Sequence, residues 1–209
     1  MNKILIALFA GASVVAASTS IAADGSFYAG LGVGQTKVKD FDPSFDAVPQ
    51  DSEEAYFKYD DKDTSYNLFV GYRFNPYFAL EGSYVNLGEI TATADDGYEF
   101  GSLNIESHGL AASVLGSLPI GDAFSLYARL GAYYGETEAS TVYRYMDDEP
   151  ESDSEKEKDT AILGGVGAAY AFNERFALRA EYNRYFDVQA PQGLESDIDV
   201  ISLSAVFSF

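Results

Sequence analysis

The sequence contains no cysteine and no tryptophan, a single histidine, His108, and only 13 lysines and arginines in 209 residues. The missing cysteine removes disulfide frameworks, thiolate metal sites and cysteine nucleophiles together. Long apolar runs are scarce: Ile4 to Ala17 is broken by Gly11 and Ser13 and falls short of the about 20 residues a membrane helix needs, so a helical membrane bundle is excluded. Against the 13 basic side chains stand 33 acidic ones, a formal net charge of -20. That charge opposes any partnership with nucleic acid, whose backbone carries the same sign. What the chain has in quantity is aromatic residues, 16 Tyr and 15 Phe. A disordered acidic chain is poor in aromatics, so the acid and the aromatics are expected in different regions of the fold.

Residues 1–23 have the layout of a secretory signal peptide: Lys3 gives a short positive start, an apolar stretch follows, and Ser20-Ile21-Ala22-Ala23 supplies small residues for cleavage after Ala22 or Ala23. The mature domain is then expected over residues 24–209, outside the cytoplasm.

No window of this domain has helical spacing. Period-two alternation recurs instead, in stretches of about nine to twelve residues, the length of a tilted strand crossing a bilayer. Eight stretches are read: Ser26 to Thr36, Ser65 to Phe74, Phe78 to Leu87, Ser107 to Leu118, Phe124 to Tyr134, Ala161 to Phe172, Phe176 to Phe186 and Ile198 to Phe209. Their connections alternate in length. Asn75 to Tyr77, Pro119 to Ala123 and Asn173 to Arg175 are tight, whereas 39–64, 88–106, 135–159 and 187–197 are long. The expected fold is therefore all-β, an eight-stranded antiparallel up-and-down transmembrane barrel with short periplasmic turns and long external loops. Ala55 to Tyr59 and Thr141 to Tyr145 also alternate, so a ten-stranded barrel stays open beside one whose strands 2 and 5 run beyond the membrane.

The minor face of the alternation identifies the solvent. Arg73, Glu81, Arg129, Arg179 and Glu181 share it with Gly, Ala and Ser. A charge facing lipid costs about 2–4 kcal/mol at the midplane. In a narrow barrel the same face points inward, where small residues make room and opposite charges pair. Aromatics including Phe74, Phe78, Phe124, Phe172, Phe176, Phe207 and Phe209 gather beside the short turns, as an interfacial girdle does. Of the 33 acids, 28 fall in the four long connections and their rims, so the negative charge belongs to one end of the molecule.

The runs Gly71 to Tyr84, Leu118-Pro119-Ile120 leading to Leu126 to Gly131, Arg179 to Tyr182 and Ser202 to Phe209 resemble the transmembrane domain of the outer membrane protein A family and the wider small-barrel porin family. The resemblance covers nearly the whole mature chain except the loops, and it rests on the order and spacing of the motifs. With the sequence ending at Phe209, that family's periplasmic peptidoglycan-binding domain is not expected. The resemblance implies that Phe207 and Phe209 form part of the signal read by the barrel-assembly machinery. It also implies a lumen salt bridge at Glu81 and Arg179, with Arg129 and Glu181 as neighbouring interior charges. The family's alternative pairing partners fall on Leu115 and Ala169, which favours a static plug over a switch.

Other site readings follow from chemistry. Glu106, Ser107 and His108 have the residue types of a hydrolase, but neighbours on a strand face opposite sides and form no triad; no catalytic, cofactor or metal residues are assigned. The acidic loops suit diffuse bridging by divalent cations to lipopolysaccharide phosphates. Lys37 and Arg184 lie on the lipid-facing parity near the loop end, as contacts for those phosphates. The leading expectation is a non-enzymatic outer-membrane barrel serving envelope integrity and surface interaction, with outer-membrane lipid and lipopolysaccharide as its surroundings. A narrow porin for ions or small solutes is the alternative, and a lipid-modifying enzyme a third.

Overall fold

The computed structural model describes residues 25–38, 56–60, 62–95, 99–145, 151–190 and 194–209. The expected signal peptide and residues 39–55 of the first long connection lie outside the described residues.

Alternation in sequence becomes alternation about a closed wall. Among the described residues nine strands form, β1 (Ser26–Val38), β2 (Tyr56–Asp60), β3 (Lys62–Asn75), β4 (Phe78–Asp95), β5 (Glu99–Ile120), β6 (Phe124–Tyr145), β7 (Glu151–Ala171), β8 (Phe176–Ala190) and β9 (Leu194–Ser208). Each neighbouring pair is antiparallel, β1 closes on β9, and the β4–β5 pairing completes the ring. β2 and β3 lie end to end along the same edge of β4, with Tyr56 opposite Asp95 and Tyr66 opposite Asn86. They act as one stave, so the barrel has eight, and the extra alternating rows are prolongations of strands 2 and 5.

The connections 88–106 and 135–159, read from sequence as loops, are instead mostly sheet. β5 and β6 each run for 22 residues, about twice what a bilayer crossing requires. The error has a physical origin: beyond the membrane neither face needs to be apolar, so polar strands such as Glu151 to Lys158 lose the hydrophobic alternation by which a strand is recognised. Where the wall leaves the barrel proper, β-bulges interrupt it between Asn86 and Glu89 and between Tyr185 and Val188. Their backbone turns left-handed at Gly88 (φ 89°) and Asp187 (φ 53°), and Gly88 N–H donates to Asn86 Oδ1 at 2.8 Å.

At the opposite end two tight turns share one device. Asn75 Oδ1 accepts from the N–H of Tyr77 and Phe78 at 2.8 and 3.0 Å. Asn173 Oδ1 accepts from Arg175 and Phe176, both at 2.9 Å. An Asn side chain thus supplies the turn bonds that the reversing backbone lacks. Large apolar residues on the expected lipid face point outward, among them Leu31, Val70, Leu110, Leu130, Ile162 and Ile201. Phe74, Phe78, Phe172 and Phe209 crowd the turn end, where Tyr170 meets Phe172 edge to face at a centroid separation of 5.1 Å and Phe172 meets Phe176 at a tilt, 5.6 Å apart.

Candidate functional site: a charged layer sealed in the lumen

The inward faces fill the barrel in three layers. Nearest the short turns lies an apolar cluster of Tyr28, Phe69, Ala79, Leu115, Tyr127 and Val206. Towards the long connections lies a larger one, including Val85, Leu87, Tyr133, Leu163, Tyr185, Ile198 and Val200. Between them sit Glu81, Arg129, Arg179 and Glu181, each at most 5% exposed.

These four side chains form a ring of ion pairs in which each carboxylate meets both guanidinium groups. Arg179 Nη1 donates to Glu81 Oε2 at 2.8 Å, and Arg179 Nη2 lies 3.1 Å from Glu181 Oε1. Arg129 Nη2 reaches Glu181 Oε1 at 3.1 Å and also bonds Glu81. Two positive and two negative charges leave the layer neutral. That neutrality is what allows charges to persist away from water, since one unpaired ion there carries a desolvation cost of several kcal/mol.

Tyrosines complete the first coordination of the ring. Tyr28 Oη donates to Glu81 Oε2 at 3.0 Å, and Arg179 Nε donates to Tyr127 Oη at 3.1 Å. The Arg179 guanidinium also lies between two rings, 4.8 Å from the centroid of Phe69 and 4.9 Å from that of Tyr127, a stacking that suits its planar, weakly hydrated cation. Glycine makes this geometry possible. A methyl at Gly71 would come within 2.2 Å of the Tyr28 ring, and one at Gly167 within 2.4 Å of Tyr127. The tyrosines therefore lie across glycines on adjacent strands, and their hydroxyls arrive at the charges.

Of the five interior charges expected from sequence, the structure brings four together. Arg73 is inward by parity but stands apart at the turn end, exposed, with its guanidinium 5.6 Å from the Tyr28 ring centroid. Leu115 and Ala169 occupy the places opposite Arg129 and Arg179 in the wall and offer no acceptor for a second pairing. Sequence reasoning missed Tyr28 and Tyr127 as parts of this layer. Their inward parity was legible, but the glycine each lies across becomes known only from strand register.

The outer surface carries the remaining candidates. Arg184 is engaged with Asp199 through two bonds of 2.6 and 3.0 Å, and its Nη1 lies 3.7 Å from Asp197. Lys37 is exposed on the neighbouring stave, with Asp199 opposite it. Phe207 and Phe209 point outward at the turn end, their rings 5.3 Å apart. His108 faces outward, its ring 6.4 Å from that of Tyr84. Ser107, by contrast, is buried in the lumen, 3.2 Å from Tyr133 Oη and bonded by Thr137, so the hydrolase-like residues diverge. Among the described residues no group of three or more His, Asp or Glu is placed to hold a metal ion.

Above the membrane-facing band, the β6–β7 extension has a two-sided character. Outward, Lys156 lies 2.9 Å from Glu138 and 3.4 Å from Glu136, which Lys158 approaches at 3.4 Å. Hydrogen bonds from Lys156 hold both carboxyls below the ordinary glutamate range. On the other face of β7, Asp153, Glu155, Glu157 and Asp159 follow one another at every second position.

A closed eight-stave wall, apolar outside, ringed by aromatics at one end and filled within, defines a transmembrane β-barrel of the bacterial outer-membrane type. Residues 22–209 match the family model of the OmpA-like transmembrane domain, and the chain belongs to that family. The attachment invasion locus protein of Yersinia pseudotuberculosis is 25% identical over 191 residues, covering 90% of this chain and 92% of that protein. Outer membrane protein P5 of Haemophilus influenzae is 27% identical over 199 residues, with 87% of this chain matched to 51% of the relative, so the chain spans about half of P5. In structure it is similar to Neisserial surface protein A, with a TM-score of 0.53 at 14% identity over 88% of this chain and 99% of the other. The Ail protein of Yersinia pestis, crystallised with the heparin analogue sucrose octasulfate, gives a TM-score of 0.51 at 19% identity over 89% and 99%. At these identities the structural likeness concerns the fold.

Proposed function

We propose that the chain is a non-enzymatic outer-membrane barrel, exported by cleavage of residues 1–23, that supports envelope integrity and presents an acidic surface to partners outside the cell. The observation that carries this reading is the filling of the lumen. An ion crossing it has to pass two apolar layers and break a neutral ring of buried ion pairs between them. That arrangement supports a structural plug over the narrow-porin alternative, and the divergence of Ser107 and His108 supports a non-catalytic role. Single-channel recording in a planar bilayer tests the first point: the expected result is no discrete conductance steps, and reproducible steps favour the porin. Lipid A mass spectrometry with and without the protein tests the second, an unchanged profile being expected.

The contact surface is acidic. The net charge of -20 concentrates in the external connections, where β7 sets four of those carboxylates in a file. A polyanion like the one bound by the Yersinia pestis relative is repelled by such a surface, so the partner expected here is cationic, or is bridged by divalent cations to lipopolysaccharide phosphates. Binding of fluorescent polylysine and of heparin to cells bearing the protein tells these apart; preferential heparin binding contradicts the reading. At the rim, Lys37 and Arg184 are assigned contact with lipopolysaccharide. Asp197 and Asp199 partly offset Arg184, and Asp199 also stands opposite Lys37, so the assignment is to the two cations together. Phe207 and Phe209, outward and adjacent at the turn end, are assigned to recognition by the barrel-assembly machinery.

A further inference from the structure

We propose that the outer half of β7, Glu151 to Lys158, is a docking edge for an extended cationic segment of a partner protein, which adds to the sheet as one more strand and sets its lysines or arginines against Asp153, Glu155 and Glu157. This rests on the reading of an acidic contact surface for a cationic partner and gives that surface a place and a mode of binding.

The sheet is open at this edge. β7 pairs with β6 from Glu151, opposite Tyr143, to Tyr170, opposite Phe124. On its other side β8 pairs only with Ile162 to Ala171. Past the bulge, β8 continues against β9, with Val188 to Ala190 opposite Ser196 to Leu194, and Gln189 N–H donates to the Asp159 side chain at 3.1 Å. Among the described residues no strand lies beyond β7 on that side of Glu151 to Lys158, and Ser152 to Lys156 are exposed. Alternate backbone N–H and C=O groups there have no ladder partner, which makes the edge a template for strand addition.

The two faces of this edge differ in charge. Lys156 and Lys158 are paired with Glu136 and Glu138 of β6, so that face is balanced. On the other face Asp153, Glu155 and Glu157 stand opposite Thr141, Ala139 and Thr137, which stand in turn opposite Leu103, Ile105 and Ser107 of β5. Neither neighbouring strand places a cation at these positions. The free edge is where that charge is open to compensation, because side chains of an added strand lie about 5 Å from their cross-strand partners, where opposite charges attract and like charges repel. A second copy of β7, added antiparallel through the same edge, brings acid against acid and is disfavoured. A segment in extended conformation with lysine or arginine at every second position matches the file, since both repeat every two residues.

The probe is a synthetic peptide alternating lysine and threonine, added to the full chain in lipid nanodiscs. Binding is read by fluorescence anisotropy and amide exchange by NMR. The expected results are saturable binding, new protection at alternate amides within Ser152 to Lys158, and about tenfold weaker binding to the variant carrying both Glu155→Gln and Glu157→Gln. N-methylation of the lysine amides blocks one edge of the peptide strand and N-methylation of the threonine amides the other, so one modified peptide should lose binding and the other keep it. Binding without protection along Ser152 to Lys158, or an equal effect of the two methylation patterns, overturns strand addition and leaves the acidic contact surface standing, as does failure of the peptide to bind where polylysine binds. Absence of binding by both peptide and polylysine overturns both readings. Protection of these amides that is present without peptide and grows with protein concentration assigns the edge to a second copy and overturns the proposal.

Discussion

Glu81 is the most demanding point at which to perturb this barrel. Its carboxylate accepts from Arg129, Arg179 and Tyr28, and all three are buried in the lumen. In Glu81→Ala, two arginines are left to share Glu181 and the buried layer changes from neutral to one net positive charge. Removing one member of a buried pair costs about 3–5 kcal/mol, which is roughly a hundredfold to several thousandfold in the unfolding equilibrium. Glu81→Gln keeps the volume and removes only the charge, so it should retain most of that loss. Glu81→Leu with Arg179→Leu restores neutrality, leaves Arg129 and Glu181 paired at 3.1 Å, and should recover most of the stability of the wild type. The assay is urea unfolding of the lipid-reconstituted barrel, followed by tyrosine fluorescence because the chain has no tryptophan, and by the mobility of unheated samples in gels. The reasoning is refuted if Glu81→Ala unfolds at the wild-type urea concentration, or if the double variant is no more stable than the single ones.

Other consequences are more local. Gly167→Val places a side chain where the Tyr127 ring lies, within 2.4 Å of it, and should destabilise by about 1–3 kcal/mol through forced repacking; the same urea titration reads it, and no change would mean that Tyr127 is not held there. Asn75→Ala and Asn173→Ala each remove two turn bonds and should each cost about 1 kcal/mol, seen as faster unfolding in stopped-flow mixing. Because Glu136 and Glu138 are held below the ordinary glutamate value of 4.5, their contribution to the β6–β7 extension is present above that value and is lost as pH falls through their lowered values. Hydrogen exchange should show amide protection at Thr137 to Ala139 falling in that acid range, and Lys156→Ala should weaken the dependence, with Lys158 still holding Glu136. Replacing Lys37 and Arg184 together by Ala should reduce the lipopolysaccharide that co-purifies with the protein, measured by gel staining; equal amounts would dismiss the assigned contact.

Much of the architecture was legible before any coordinates, because a membrane barrel writes a strict rule into its sequence. Each residue of a crossing strand faces either lipid or lumen, and the cost of a misplaced charge is high on one side only. Leu31, Val70, Leu130 and Ile201 therefore announce the outside, and Glu81, Arg129, Arg179 and Glu181 the inside. The same rule lapses above the membrane, which is why the strands through Thr91, Glu136 and Lys156 read as loops. Parity says which face a side chain occupies but not what stands next to it. That Glu81 and Glu181 each meet both arginines, that Tyr28 crosses Gly71 and Tyr127 crosses Gly167, and that Arg184 is already engaged with Asp199 depend on register and on closure of the ring. Residues as far apart as Glu81 and Arg179 become neighbours only when the β4–β5 pairing completes the wall. The sequence by itself thus determined the barrel, its inside and outside, and the acidic end. Only the tertiary structure decided that the lumen is layered and its charges cancel, because pairing across a barrel is set by the stagger between strands, which no single strand encodes.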